Sequence, residues 1–430
     1  MKRAFIHTAA PRLFGLIVCL VTMSAGLATA AEPGGAWPQF LGPHRDGQVP
    51  AHGPLNLDWK AKKPKLLWKM AHDGGFSSCS FAGDKLFTQV KRGDRDIAIC
   101  LDAATGEEIW AHDGAPSFID RQRQGAGPRA TPTYTPDGRV YCLFARGELY
   151  CLDARTGKEI WKNNILEATK AGQHGDLTYY WGMSGSPLIE GDLVITLPGG
   201  SKDNAVAAFH KDTGKLAWSV GSDSPGYASP IVIEAAGVRQ LVCLGGNCCY
   251  SLDPVKGSTL WEYKWGNKYN CNCATPLWVD ETLFLSSAYG TGAVALKIEK
   301  QGDKLAVREL WKNKNLLNQF TTSMIVDGHV YGSHGDFSAL ALRCLDLKTG
   351  EVKWIERKPG KCGLIAVDGH LIVLNEKGSL MLVKADPKEF VLKGELPGLL
   401  TYRSWALPAV YQQRLYVRDQ KQLLCLDLSK

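Results

Sequence analysis

The sequence lacks the local signatures by which most enzymes can be read from their residues. It has no Cys-x-x-Cys-His for attached haem, no Gly-x-Ser-x-Gly elbow, no glycine-rich phosphate loop and no His-Glu-x-x-His. It also lacks concentrated positive charge. The formal charge is +7 over 430 residues, and the densest basic run, 60–65, holds four lysines around a proline. A nucleic-acid face needs clustered Lys and Arg, so no nucleic-acid partner is expected. Long apolar runs are missing too. The one at 13–27 is shorter than the roughly 20 residues a spanning helix needs. It follows Lys2, Arg3 and Arg12 and precedes Ala28-Thr29-Ala30, the pattern of a signal peptide cleaved after Ala30, with a membrane anchor as the alternative. Ile17-Val18 before Cys19 offers no small residue for a lipoprotein signal, so lipidation is not expected. Processing would leave +4 over 400 residues. The expectation is an exported periplasmic or envelope protein, monomeric, with no transmembrane segment after processing.

What the chain does have is repetition. Cys151-Leu152-Asp153-Ala154-Arg155-Thr156-Gly157-Lys158-Glu159-Ile160-Trp161 reads as a strand, a turn through a positive-φ glycine, and a second strand ending in an aromatic. Copies end at Trp110, Trp218, Trp261, Trp311 and Trp354; degenerate ones run from Leu382 to Phe390 and from Cys425 to the end of the sequence. The Leu-Asp positions 102, 153, 210, 253, 297, 346, 384 and 427 mark eight units 38 to 57 residues apart. Each has a second turn upstream, hence four antiparallel strands, one propeller blade. The last unit stops after its third strand, and 66–70 reads as a fourth strand without a unit. The prediction is an all-β, eight-bladed β-propeller whose ring is closed by an N-terminal strand, with residues 1–30 as signal peptide, 31–65 as an extension packed on the disc, and 66–430 as the propeller.

Twelve cysteines would survive processing. Cys100, Cys151, Cys344 and Cys425 share a repeat position with Ala208, Ser251 and Ala295, so they read as small packing residues. If Arg146-Gly147 is a two-residue hairpin loop, Cys142 stands opposite Cys151, where a cross-strand disulfide is one alternative. Cys271-Asn272-Cys273 is too closely spaced for a zinc knuckle. His72-Asp73-Gly74 and His112-Asp113-Gly114 resemble acid–base pairs but follow strand-end tryptophans, as repeat-derived turns would.

The eleven-residue motif, the eight units and Trp37-Pro38-Gln39-Phe40 together resemble the exported pyrroloquinoline-quinone-repeat (PQQ-like) β-propeller family, over about residues 36–430. The resemblance extends to the propeller subunit of the outer-membrane barrel assembly machine. It implies that Trp68, Trp110, Trp161, Trp218, Trp261, Trp311 and Trp354 dock between blades, against the small residue and glycine of the adjacent copy. The same repeat serves quinone-dependent dehydrogenases and cofactor-free scaffolds. The dehydrogenases carry a vicinal cysteine ring, a catalytic Asp and carboxylate or Asn ligands to calcium. Cys248-Cys249 is vicinal, but alignment with Glu148-Leu149 puts it at a hairpin away from the axis.

A functional surface follows from the repeat. The innermost strands start around the central channel, each preceded by a small residue such as Ala130, Ala228 or Ala274. One position earlier the ring is polar: Ser78, Arg129, Ser184, Tyr227, Cys273, Thr321, Lys361 and Trp405, with Cys271, Gln319 and Arg403 two residues further out. The ring contains no carboxylate. Loops 111–127 and 162–182, the second with His174 and Tyr179-Tyr180-Trp181, enter the same face. Arg129, Tyr227, Cys273, Gln319, Lys361, Arg403 and Trp405 are therefore the ligand-binding candidates, suited to an anionic or polyhydroxylated group. No catalytic and no metal-binding residue is assigned. The expectation is a non-catalytic propeller that binds an envelope protein or glycan and needs no cofactor; the alternative is a quinone-dependent dehydrogenase with PQQ and calcium.

Overall fold

The computed structural model describes Met1 and residues 36–50, 53–120, 122, 124–172 and 181–430. The signal-peptide reading of 1–30, and His174, Tyr179 and Tyr180, lie outside the described residues. From Pro33 on the chain is one compact unit. It holds eight four-stranded antiparallel sheets. Seven use four consecutive strands, as in blade 2: Thr133–Thr135, Arg139–Leu143, Glu148–Asp153 and Glu159–Asn164, from inside out. The eighth takes Ala409–Tyr411, Arg414–Arg418 and Gln422–Asp427 from the end of the sequence and Lys65–Ala71 from its beginning. Lys65 pairs with Asp427 and Ala71 with Gln422, so the ring closes as the unpaired strand implied, one residue earlier than expected. Among the described residues one short helix, Ile165–Thr169, interrupts the all-β pattern, capped by Asn164.

Each motif residue has a local task. The Asp153 carboxylate accepts from the backbone N–H of Arg155 and Thr156, and Asp102, Asp253 and Asp346 tie the same turn. Gly157 follows at φ 71°, a conformation costly for other residues. A Cβ there would lie 2.6 Å from the Trp110 ring, and one on Gly106 equally close to Trp68. Trp110 Nε1 donates to Ala154 O at 3.1 Å and Trp68 Nε1 to Ala103 O at 3.2 Å. Trp161, Trp311 and Trp354 likewise donate to the backbone of the next blade, at Lys211, Leu347 and Asp386. Trp261 departs from the pattern: blade 5 has no motif glycine, and the Trp261 Nε1 donates to Gln240 Oε1 within its own blade at 2.7 Å. Trp218 lies against Gly257, but its Nε1 has no hydrogen-bond partner.

Blade 7 differs further. The register places Gly394 opposite Leu382, where blade 2 places Trp161 opposite Cys151. Phe390 is therefore not that unit's docking aromatic; it lies edge-on to Trp354. The vacant position is filled by Trp59 from the N-terminal extension. It is 1% exposed, and a Cβ on Gly394 would overlap it.

The first part of the extension, residues 37–48, runs along the channel, while Asn56 and Lys60 bond to Leu428 and to the outer strand of blade 7. The innermost strand of each blade has one unpaired edge facing the axis, and the extension bonds to these edges. Trp37 O accepts from Phe81 N, Pro38 O from Tyr134 N, and Gly47 O from Ala366 N, all at 2.8–2.9 Å. Arg45, 2% exposed, donates to the carbonyls of Ser186, Pro187 and Pro230 and to Gln39 Oε1. Burial lowers its guanidinium to about 9, still charged at neutral pH, and these four acceptors replace the water it loses.

The hairpin after blade 2's second strand has three loop residues, since Leu143 pairs with Leu149 and Phe144 N donates to Glu148 O. That shifts the register by one. Cys151 stands opposite Tyr141, and Cys142 opposite Tyr150, so the two cysteines point to opposite faces and are not a cross-strand pair.

Candidate functional site

All seven ligand-binding candidates line one cavity of about 390 Å³ at the channel mouth. Ser184 and Cys271 join them, whereas Ser78 and Thr321 turn away, donating to Leu407 O and Cys362 O. Because the extension occupies the channel and contributes Phe40 to the lining, the channel mouth is a pocket. Its size falls within the roughly 300–1,000 Å³ of small-molecule sites.

The pocket has a flat aromatic wall. Trp405 stacks on Phe76 (5.3 Å, 24°) and meets Phe320 at 4.3 Å. The Arg403 guanidinium lies 4.6 Å from the Trp405 ring centre, and Lys361 Nζ lies 4.9 Å from Phe320 and 6.0 Å from Trp405. Lys361 also donates to Gln319 Oε1, whose amide donates to Tyr289 OH at 2.9 Å. Burial lowers the Lys361 pKa, against the opposing pull of Glu376. Across the pocket, Tyr227 meets Trp181 edge to face at 5.6 Å, and burial raises its phenol.

The ring positions themselves hold no carboxylate, but the cavity does. Glu376, from the turn between the second and third strands of blade 7, lines the cavity and accepts from Trp405 Nε1 at 3.3 Å. Arg129 is already paired with Asp120 at 3.2 Å, the two side chains 9% and 0% exposed. It also donates to Gly125 O and Gly127 O and lies 4.7 Å from the Phe118 ring. Burial lowers it to about 10. Arg129 is thus a fixed part of the wall, and Lys361 and Arg403 are the cations presented to a ligand.

Sequence reasoning missed Phe76 and Phe320, which precede inner strands, and Tyr289, Phe337 and Glu376, which lie on the turn between the second and third strands of blades 5, 6 and 7. Phe76 and Phe320 lie two or fewer residues from ring positions, a signal that could have found them. His72 is buried away from the pocket, and its imidazole is lowered to about 2 by burial and by Arg418. His112 packs on Tyr150. Cys248 and Cys249 begin the third strand of blade 4 and do not line the pocket.

An eight-bladed ring of docking-tryptophan repeats with a pocket at its axis defines a PQQ-like propeller. The family model described as outer membrane protein assembly factor BamB matches residues 94–356, and the chain belongs to that family. A quinohemoprotein alcohol dehydrogenase, ADH IIB of Pseudomonas putida, is 27% identical over 57% of this chain and 36% of its own length. A polyvinylalcohol dehydrogenase of Sphingopyxis is 24% identical over 68% of this chain and 54% of its own. The chain thus spans about a third to a half of these relatives. The crystal structure of quinohemoprotein alcohol dehydrogenase from Comamonas testosteroni superposes with TM-score 0.65 at 14% identity, covering 94% of this chain and 82% of that one, a likeness of fold. The dehydrogenase relatives overturn the expectation of a non-catalytic, cofactor-free binding protein, and favour the quinone-dependent alternative.

The residues fit one half of the implied cofactor. A planar polycarboxylated quinone matches an aromatic wall flanked by Lys361 and Arg403. Calcium does not match: it takes six to eight oxygen ligands, roughly, while among the described residues no three His, Cys, Asp or Glu side chains are grouped to hold a metal.

Proposed function

We propose that the chain is a quinone-dependent oxidoreductase of the PQQ-propeller type, exported to the periplasm or envelope, whose channel-mouth pocket holds the quinone and an alcohol substrate. The observation that carries this reading is the Trp405–Phe76–Phe320 wall beneath two cations. When bound, such a quinone accepts two electrons from the alcohol. The chain's own residues supply the rest. Trp405 and Phe320 offer the quinone a flat face, and Lys361 and Arg403 pair with its carboxylates. Glu376, fixed by the Trp405 indole, is the carboxylate placed to take the hydroxyl proton as general base. Phe40 and the channel-filling extension keep water from entering through the opposite mouth.

Titrating the purified protein with pyrroloquinoline quinone and following tryptophan fluorescence tests this. Saturable quenching is expected, with affinity falling about tenfold or more in Trp405→Ala and in Lys361→Ala. Absence of saturable binding overturns the proposal.

A further inference from the structure

Of the twelve described cysteines, two line the cavity: Cys271 and Cys273, with their sulfurs 3.5 Å apart. The turn that carries them is held far more firmly than a loop needs. Asn272, fully buried, donates to Gly245 O, Gly246 O and Trp265 O and accepts from Ser287 Oγ at 2.7 Å. Asn267 both donates to Cys271 O at 2.8 Å and accepts from Cys271 N. Tyr227 N donates to Asn272 O at 2.9 Å. This network fixes the backbone on either side of each cysteine and leaves the two thiols facing each other in the pocket wall. Packing alone does not account for the arrangement, because neither thiol belongs to a hydrophobic cluster as Cys100 and Cys344 do.

We propose that Cys271 and Cys273 are a redox-active dithiol that closes to a disulfide by passing its electrons to the quinone in the same pocket. This rests on the quinone reading above. Two S–H bonds break and one S–S bond forms; two electrons and two protons pass to the quinone, which leaves as the hydroquinone. The thiols are not equivalent. The hydrogen bond to Cys271, and then burial, raise the Cys273 thiol well above its ordinary value. A small dithiol admitted to the cavity would reset the pair by exchange.

The test uses the full chain, reduced, freed of reductant and given pyrroloquinoline quinone. Alkylation and peptide mass then read the 271–273 segment, and absorbance reads the hydroquinone. The expected result is a segment lighter by two hydrogens that resists alkylation, with hydroquinone formed in equal amount. Cys271→Ser and Cys273→Ser should each abolish both, and Trp405→Ala should slow closure by quinone about tenfold while leaving closure by diamide unchanged. If tryptophan quenching shows the quinone bound but the pair stays open to alkylation, the dithiol proposal is overturned and the quinone reading stands. If diamide closes the pair but no quinone binds, the quinone reading falls and takes the electron acceptor with it. Should a serine variant fail to fold, the wild-type mass shift still decides.

Discussion

Blades 2 and 7 solve one packing problem in two ways. In blade 2 the outer strand brings its own Trp161 opposite Cys151, and the ring docks on Gly214 and Lys211 O of the next blade. In blade 7 that position is Gly394, and the indole arrives from Trp59, more than 300 residues earlier in the sequence. Trp59 shares a cluster with Leu382 of blade 7 and with Leu426 and Leu428 of the final segment. A position in a repeat can thus be filled without being encoded in the repeat, provided the space between blades is. The extension is consequently part of the core.

Deleting residues 31–71 should have the largest effect. It removes the channel-filling segment, Trp59 and the closing strand together, and cooperative unfolding of the whole ring should be lost in calorimetry or denaturant titration. A truncated protein that melts like the intact one would refute ring closure. Next, Trp59→Ala and Trp161→Ala should each destabilise by about 3 to 5 kcal/mol, through lost burial and a cavity between blades. Equal losses would make the two solutions equivalent; a small loss at Trp59 alone would show that blade 7 tolerates an empty position. Gly394→Ala should cost about 1 to 3 kcal/mol by overpacking against Trp59. Its cost should persist in the Trp59→Ala background, because the atoms it meets are the Trp59 backbone and Cβ, which alanine keeps, and a double-mutant cycle should read little coupling.

A graded effect concerns pH. Asp96 is buried, one carboxylate oxygen has no hydrogen-bond partner, and burial raises the acid to about 6. A carboxyl raised in the folded state contributes stability that is complete below its unfolded pKa and lost as pH rises through the folded one. Between about pH 4 and pH 6 the protein should therefore lose up to about 3 kcal/mol from this group. Asp96→Asn should flatten that slope in unfolding midpoints measured across the window.

The fold was legible because its determinants are local and recur. The Asp turn, the positive-φ glycine and the tryptophan sit at fixed spacing in most units, and the missing fourth strand of the last unit pointed to Lys65–Ala71. The pocket was legible only as a ring. Counting back from the inner strands found Arg129, Lys361 and Trp405, since strand alternation fixes which way those side chains point. It could not find Glu376 or Tyr289, which lie on turns whose lengths differ from blade to blade. Nor could it see that Asp120 already satisfies Arg129, because a partner nine residues away across a loop leaves no periodic trace. The Cys142 register failed for a related reason: one extra loop residue reverses the face of every side chain beyond it.

Ring closure by Lys65–Ala71 also sets an order of assembly. A chain that leaves the ribosome or an export channel N-terminus first presents Trp37, Trp59 and Trp68 long before their partners at Leu382, Leu426 and Cys425 exist. The earliest segment to emerge is therefore the last to be seated. Trp68 can dock early on Ala103 of blade 1, but Trp59 stays exposed apolar surface until blade 7 brings Gly394 to it, a stretch of synthesis over which the chain would suit a holding chaperone.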